Sequence, residues 1–314
     1  MQPLFLQPVF KERIWGGTAL KEEFGYDIPT EKTGECWAIS AHPNGPSVIE
    51  NGPYKGKSLD QLWKEQPELF GNPKEDVFPL LTKILDANMD LSVQVHPDDA
   101  YAMVHEDGEL GKTECWYIID CKEDTDMIFG HNAINKEEFS QMVKEGKWND
   151  LLRRVKIKPG DFFYVPSGTI HALCEGTLVL ETQQSSDTTY RVYDYDRKDD
   201  KGNLRELHLE KALEVTTVPH ENVVSKPTVE NKETVTITTF VESSFFSVYK
   251  WDIKGDASFS SPDTYLLLSV LEGDGTLFCH EESYSLTKGT HLILPFGLGD
   301  FELTGNCQLI VSRP

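Results

Sequence analysis

Long apolar runs are missing from this 314-residue chain, and no stretch approaches the ~20 apolar residues that a membrane-spanning helix needs. The N-terminal segment also lacks the continuous apolar core of a secretory signal, because Pro3 and Pro8 interrupt it. The sequence therefore predicts a protein that is neither inserted in a membrane nor exported. We expect it to reside in the cytoplasm.

Basic residues are scarce. Lys and Arg number 30 against 52 Asp and Glu, which gives a formal net charge of −22 at pH 7. A nucleic acid or an anionic membrane would require a basic surface, so neither is an expected partner. An anionic small molecule is compatible with this charge only if a few cations lie close to its binding site.

The cysteines lack the CxxC spacing of metal-binding and redox motifs. There are six, and most lie within apolar stretches typical of strands: Cys36, Cys115, Cys121, Cys174, Cys279 and Cys307. We expect them to be buried free thiols of a cytoplasmic protein rather than disulfides.

What the sequence does contain is a set of metal-ligand side chains at the ends or inner faces of predicted strands. In residues 91–98 the alternation places Gln94 and His96 on one face of a strand. Glu114 begins an apolar and aromatic strand, and His171 follows a strand that proline and glycine terminate. Two imidazoles and a carboxylate, with the amide oxygen of Gln94 as a candidate fourth ligand, suit Zn²⁺ or another first-row divalent ion.

Apolar spacing along the chain predicts a mainly β protein with a few helical insertions. Helices are expected near residues 58–70, 136–154 and 207–215, where apolar side chains recur at helical spacing. We expect a metal-binding domain over residues 1–220 and a second, β-rich domain over residues 235–314.

A short internal repeat relates the two predicted domains. A turn glycine, an apolar strand and a Pro-x-Gly stop occur twice at one constant offset, as Gly160, Pro166 and Gly168 and again as Gly289, Pro295 and Gly297. At this offset His171 becomes Asp300, and the strand that best answers Glu114, residues 265–268, has no carboxylate. The second copy is therefore expected to be degenerate and to bind no metal.

Several short motifs follow one another along the chain. They are Gln94-Val95-His96-Pro97-Asp98, Gly111-Lys112-Thr113-Glu114, residues 166–172 and 184–191, Trp15-Gly16-Gly17, Gly34-Glu35-Cys36-Trp37 and Ala41-His42-Pro43. In these motifs, from about residue 5 to 215 and more faintly beyond, the chain resembles the type I mannose-6-phosphate isomerases in their short bacterial form. The resemblance implies two cupin (jelly-roll type) β-barrels with a small helical insertion.

The resemblance also implies an activity, the interconversion of mannose 6-phosphate and fructose 6-phosphate. It implies one zinc ion per chain, held by Gln94, His96, Glu114 and His171, and an active-site arginine at Arg191. Such a reaction moves a proton between C1 and C2 through an enediol or enediolate, whose growing negative charge a cation can stabilise. Because the pKa of an arginine lies above ~12, we expect Arg191 to stabilise and orient rather than to act as a base.

Lys112 is a second candidate catalytic residue, since it would share the strand face of Glu114. It could bind an anionic substrate oxygen or pair structurally with Glu114. The proton-transfer base stays open between Asp187, Glu35 and a metal-bound hydroxide. The phosphate needs cations or backbone amides, and the cations available for it are Lys83, Lys112, Arg191 and Arg197.

Other functions compete with this interpretation. They are the isomerisation of another sugar phosphate, an iron-dependent cupin oxygenase and a sugar-binding cupin without activity. Oxygenase sites favour additional histidines, whereas His42, His105 and His131 have no partner at ligand spacing and are expected at the surface or in internal hydrogen bonds. The expected assembly is a monomer.

Overall fold

The computed structural model describes residues 1–199, 201–223 and 225–314. β-strands dominate its regular structure and form three sheets. The strands are β1 (Leu4–Gln7), β2 (Val9–Gly17), β3 (Thr33–Ser40), β4 (Val48–Ile49), β5 (Leu80–Ala87), β6 (Val93–Val95), β7 (Glu114–Cys121), β8 (Asp126–His131), β9 (Leu152–Lys156), β10 (Phe162–Val165), β11 (His171–Leu173), β12 (Thr177–Gln184), β13 (Tyr190–Tyr193), β14 (Thr228–Asn231), β15 (Val235–Glu242), β16 (Ser247–Lys254), β17 (Ala257–Phe259), β18 (Leu266–Cys279), β19 (Glu282–Thr287), β20 (His291–Leu294) and β21 (Phe301–Arg313).

Short helices interrupt the strands. They are α1 (Ala19–Phe24), α2 (Leu59–Glu65), α3 (Asp99–His105), α4 (Lys136–Lys144), α5 (Trp148–Leu151) and α6 (Leu209–Val215), with 3-10 helices at Gly52–Tyr54 and Pro67–Phe70.

The expected helix near residues 136–154 is wrong in its last residues. There, α5 ends at Leu151, and the chain turns into β9, because pairing with β8 provides backbone partners that outweigh the helical apolar spacing. The sequence did not predict the short helices α1 and α3.

The first two sheets pack face to face. The six-stranded sheet has the order β10-β7-β12-β5-β3-β2, and the five-stranded sheet has the order β13-β6-β11-β8-β9. A cluster of buried side chains fills the space between them, including Trp116, Ile118 and Val179 from one sheet and Met127 and Leu173 from the other. The mainly β prediction is confirmed, but the strands form open sheets in a sandwich rather than closed barrels.

The third sheet has ten strands and packs on the other face of the six-stranded sheet. Its main path is β14-β15-β16-β21-β18-β20-β1-β4, with β17 on β21 and β19 on β18. The rings of Phe162 and Phe240 stack across the contact with centroids 4.6 Å apart. The expected domain boundary lies between residues 220 and 235. It does not coincide with a boundary between sheets, because β1 and β4 from the N-terminal part belong to this third sheet. Of those residues, 224 lies outside the described part, and Thr228–Asn231 forms β14.

All six cysteines are free thiols, as expected, and five of them are buried. Among the described residues, no helix is long and apolar enough to cross a membrane.

Candidate metal centre

The five-stranded sheet places three of the predicted site residues in one row. In β6, Gln94 is the cross-strand partner of His171 in β11 and of Arg191 in β13. Cross-strand partners project from the same face of a sheet, so these side chains are neighbours. His96 follows directly after β6, and Glu114 opens β7 in the facing sheet.

The ligand atoms of three predicted residues converge. His96 Nε2 lies 3.2 Å from His171 Nε2, and Glu114 Oε1 lies 3.3 Å from His171 Nε2. Glu114 Oε2 lies 3.5 Å from His96 Nε2. Ligand atoms around a tetrahedral zinc ion, each about 2.0–2.1 Å from it, would be separated by about 3.4 Å. The three residues form the only such group of His, Cys, Asp or Glu side chains in the part of the chain described.

Backbone carbonyls orient both imidazoles. His96 Nδ1 lies 2.9 Å from the carbonyl oxygen of Thr188, and His171 Nδ1 lies 2.8 Å from that of Thr169. Each Nδ1 therefore carries the proton and donates it, which leaves the Nε2 lone pairs facing the group. Burial lowers the pKa of His171 to about 4 and the pKa of His96 well below its usual value, so both rings are neutral, as a metal ligand requires.

The carboxylate of Glu114 favours the binding of a cation at this group. Its side chain is fully buried, and Oε1 accepts no hydrogen bond from any described residue. Burial, followed by the charge of Glu181, raises its pKa to about 7. A buried carboxylate with an unpaired oxygen is unfavourable unless a positive charge compensates it. Two neutral imidazoles and this carboxylate therefore fit a divalent first-row metal ion.

Gln94 stands beside the group, with its Nε2 placed 3.3 Å from His171 Nε2. The two ends of a glutamine amide exchange by a half-turn of the terminal bond, which would direct Oε1 at the same point. The geometry thus allows Gln94 to be the fourth ligand.

Lys112 belongs to a row of buried charges on the six-stranded sheet. Its Nζ lies 3.0 Å from Glu114 Oε2. Burial acts to lower the pKa of Lys112, but the carboxylates of Glu114 and Glu181 outweigh it and raise that pKa. In the neighbouring strands, Lys83 Nζ lies 3.5 Å from Glu181 Oε1, and the indole of Trp116 donates to Glu181 Oε2 over 2.8 Å. Glu181 was missed by the sequence analysis.

Arg191 has a guanidinium without a partner. No hydrogen bond or ion pair reaches it from any described side chain, and its Nε is buried and unpaired. Burial, and then the nearby charge of Arg205, lowers its pKa. In a protein of net charge −22, an unpaired guanidinium beside a carboxylate-bearing centre is suited to hold an anionic oxygen from outside the protein.

Two other candidates already have partners. The carboxylate of Glu35 accepts from Arg13 Nε at 2.7 Å and from Trp37 Nε1 at 2.7 Å. The guanidinium of Arg197 donates to Asp194 at 2.6 Å, so it is occupied and is a poor candidate for the phosphate.

The histidines that were not expected as ligands lie outside the group. His131 Nε2 is 2.9 Å from the carbonyl oxygen of Thr217, and the exposed His105 stacks on Tyr101. His42 is buried and accepts an internal hydrogen bond, as expected, since the backbone N–H of Asn44 donates to its Nδ1 over 3.2 Å. Its Nε2, however, has no hydrogen-bond partner among the described residues.

Comparison with known proteins matches both parts of the chain. Residues 4–120 match the family described as phosphomannose isomerase type I, catalytic domain, and residues 236–314 match the mannose-6-phosphate isomerase cupin domain. A Bacillus subtilis protein named "Probable mannose-6-phosphate isomerase GmuF" is 62% identical over 99% of each chain. The chain belongs to the type I phosphomannose isomerase family.

Other members of this family are also similar to the chain over their whole length. The mannose-6-phosphate isomerase of Streptococcus mutans is 55% identical over 99% of this chain and 98% of its own. The crystal structure of the mannose 6-phosphate isomerase from Bacillus subtilis superposes with a TM-score of 0.99 at 58% identity and covers 100% of both chains. The family resemblance and the cupin fold expected from the sequence are thereby confirmed.

Proposed function

We propose that this protein is a zinc-dependent isomerase that interconverts mannose 6-phosphate and fructose 6-phosphate. Full-length relatives named for this activity support the reaction. The observation that carries the proposal is the buried group of His96, Glu114 and His171, with Arg191, whose guanidinium is unpaired, opposite Gln94 in the same sheet. Such a site combines a place for a cation with a free positive charge, which suits charge growing on sugar oxygens.

Zinc is the proposed metal, at one ion per chain, with His96, Glu114, His171 and Gln94 as its ligands. The donor set of imidazole nitrogens, carboxylate and amide oxygen supports this choice. When bound, the ion would supply Lewis acidity to the sugar oxygens at C1 and C2. All four ligands come from one chain, which is consistent with the proposed monomer. We place the protein in the cytoplasm, where phosphorylated sugars are metabolised.

The roles of the remaining residues follow from their partners. Arg191 would hold and stabilise an anionic sugar oxygen. Lys112, paired with Glu114, would keep a positive charge beside that oxygen and orient the carboxylate. Of the two carboxylates considered as a base, Glu35 is committed to Arg13, whereas Asp187 lines an open cavity of about 340 Å³.

A coupled assay of mannose 6-phosphate conversion, before and after chelation, tests the proposal. We expect activity to disappear on chelation and to return with zinc, at one metal per chain by elemental analysis. Oxygen uptake is measured in parallel, because consumption of oxygen with any sugar would point to the oxygenase alternative. Unchanged turnover in metal-free protein would contradict the proposal.

A further inference from the structure

His42 is a buried side chain with an unused hydrogen-bonding group. It lies in the loop between β3 and β4 and is 5% exposed. The backbone N–H of Asn44 donates to His42 Nδ1 over 3.2 Å. Burial lowers the pKa of His42, although the carboxylates of Asp187 and Glu109 oppose this shift. The ring is therefore neutral near pH 7, and its single proton sits on Nε2 because Nδ1 accepts.

This Nε2–H has no acceptor. No described residue makes a hydrogen bond to it, and the nearest carboxylate oxygen, Glu109 Oε2, is 3.9 Å away. Buried donors in folded proteins are nearly always paired, since leaving one unpaired costs about 1–3 kcal/mol. The ring is also fixed in place, because it packs edge-on against Trp37 with centroids 5.7 Å apart. An immobile, unpaired donor of this kind suits an external oxygen.

The cavity beside His42 borders Thr188, the residue that orients one metal ligand. His42 lines the cavity of about 340 Å³ together with Asn44, Asp187 and Thr188. The carbonyl of Thr188 accepts from His96 Nδ1, so one wall of the cavity also orients a metal ligand. His42 and Glu109 also line a second cavity, of about 210 Å³.

The charges around this cavity decide which part of a sugar phosphate would meet His42. The carboxylates of Asp187 and Glu109 line this cavity and would repel a phosphate dianion, and the lysine on its wall, Lys211, is paired with Glu106 at 2.6 Å. A hydroxyl group suits these neighbours, since it can accept from Nε2–H and donate to a carboxylate. With C1 and C2 at the metal centre, the hydroxyls further along the chain, at C3 or C4, would come next.

We propose that His42 is a substrate-binding residue that donates its Nε2–H to the C3 or C4 hydroxyl of the sugar. The inference rests on the proposed function for the identity of the sugar. It assigns to His42 a contact with substrate that contributes to the choice between sugars, and no proton transfer, because a neutral imidazole N–H is a very weak acid.

The test is a double-mutant cycle in which one change is made in His42 and the other in a hydroxyl group of the substrate. Wild type, His42→Phe and His42→Gln are assayed as zinc-loaded proteins with mannose 6-phosphate and with its 3-deoxy and 4-deoxy analogues. Phe removes the donor, whereas Gln retains an N–H that can reach the same space. We expect His42→Phe to lower kcat/KM for mannose 6-phosphate about 10-fold, as for a lost hydrogen bond, and His42→Gln to recover most of it. With one deoxy analogue, wild type and His42→Phe should become equal, because the partner is already missing.

Folding and metal content are checked in each variant, with the exposed His105→Phe as a matched control that should behave as wild type. If His42→Phe loses the same factor with every analogue, the residue acts through structure and the inference fails. Unchanged kcat/KM in His42→Phe would also overturn it while leaving the proposed function intact. An inactive wild type would instead refute the proposed function, and binding of mannose 6-phosphate by calorimetry would then still show whether His42 contributes to affinity.

Discussion

The two halves of the molecule share a pattern of strand pairing but differ in whether they bury charged side chains. In the first, β10 pairs with β7 so that Val165 lies opposite Glu114; in the second, β20 pairs with β18 so that Leu294 lies opposite Leu266. Before residue 220, the buried residues include Glu35, Lys83, Asp86, Lys112, Glu114, Glu181 and Asp194. Among the described residues from 225 onward, no Asp, Glu, Lys or Arg is buried.

The comparison teaches that the fold itself does not require the charges. Gly160 and Gly289, the turn glycines of the repeat, both have φ of 88°, so the turn is retained where the ligands are not. The same strand pairing is stable with Leu266 in place of a carboxylate. Asp194 and Asp86 have structural partners, but the buried charge of Glu114 belongs to the metal group and points to function rather than to folding.

The largest expected effect comes from removing a ligand in one half and its counterpart in the other. We expect His171→Ala to lose zinc and activity together while the fold is largely kept, because two packed cores do not depend on one ion. Asp300→Ala, at the equivalent position, should retain both. Elemental analysis and the coupled assay measure this difference. Two metals per chain in the wild type, one of which survives in His171→Ala, would show that the second half has a site of its own.

Arg191→Lys tests whether the unpaired guanidinium acts in the transition state. Lysine keeps the charge but loses the planar fork that can hold two oxygens. We expect kcat to fall about 100-fold and KM to change far less, in line with the loss of an oxyanion donor. Steady-state kinetics decide, and a change in KM alone would make Arg191 a phosphate-binding residue.

Alanine substitutions at the two equivalent glycines, Gly168 and Gly297, compare the stability of the two Pro-x-Gly turns. Gly168 and Gly297 have positive φ values of 81° and 74°, so alanine is strained at both. An added Cβ would lie 2.5 Å from Thr217 Oγ1 at Gly168 but meets nothing within 4 Å at Gly297. We expect Gly297→Ala to cost about 1 kcal/mol of unfolding free energy and Gly168→Ala about 3 kcal/mol. Urea unfolding measures both, and equal losses would contradict the comparison.

A comparison that depends on pH concerns His291, which occupies the position of Phe162 in the repeat. Burial lowers its pKa to about 3, against about 6.5 for an unfolded histidine. Its contribution is fully present above pH 6.5 and declines as the pH falls toward 3, because only the unfolded chain binds the proton. Between pH 7 and 5, His291→Phe should therefore lose about 2 kcal/mol less stability than wild type.

The partners of His291 supply the control for this measurement. Its Nε2 lies 2.7 Å from Tyr26 Oη, and its Nδ1 lies 2.9 Å from Ser269 Oγ. Tyr26→Phe removes one partner but retains the titrating ring, so it should keep the pH dependence of wild type. Denaturant unfolding at the two pH values checks this, and identical slopes for His291→Phe and wild type would refute the assignment.

The sequence was sufficient for the residues whose position follows from local pattern. His96 and Gln94 share a face because of strand alternation, and Glu114 and His171 stand at strand ends, so their convergence could be expected. The helices near residues 58–70 and 207–215 follow from apolar spacing in the same way.

The pairing of strands that are distant in the sequence could not be predicted from the sequence. Glu181 lies beside Lys83 because β12 pairs with β5, and nothing near either residue signals that partner. The Nε2 of His42 is unpaired because no acceptor from another part of the chain packs close to it, and the sequence does not predict this packing. The placement of β1 in the third sheet likewise depends on register with β20 rather than on its own residues.

That placement has a consequence for how the chain is made. In β1, Leu4 pairs with Ile293, so one of the earliest segments to leave the ribosome must await one of the last. At about 5–20 residues per second, the delay is roughly 15 to 60 s. Throughout this time β1 has an unpaired edge, which is a ready template for association with other chains. Slower translation would lengthen this exposure, so the yield of folded protein should depend on the speed of synthesis.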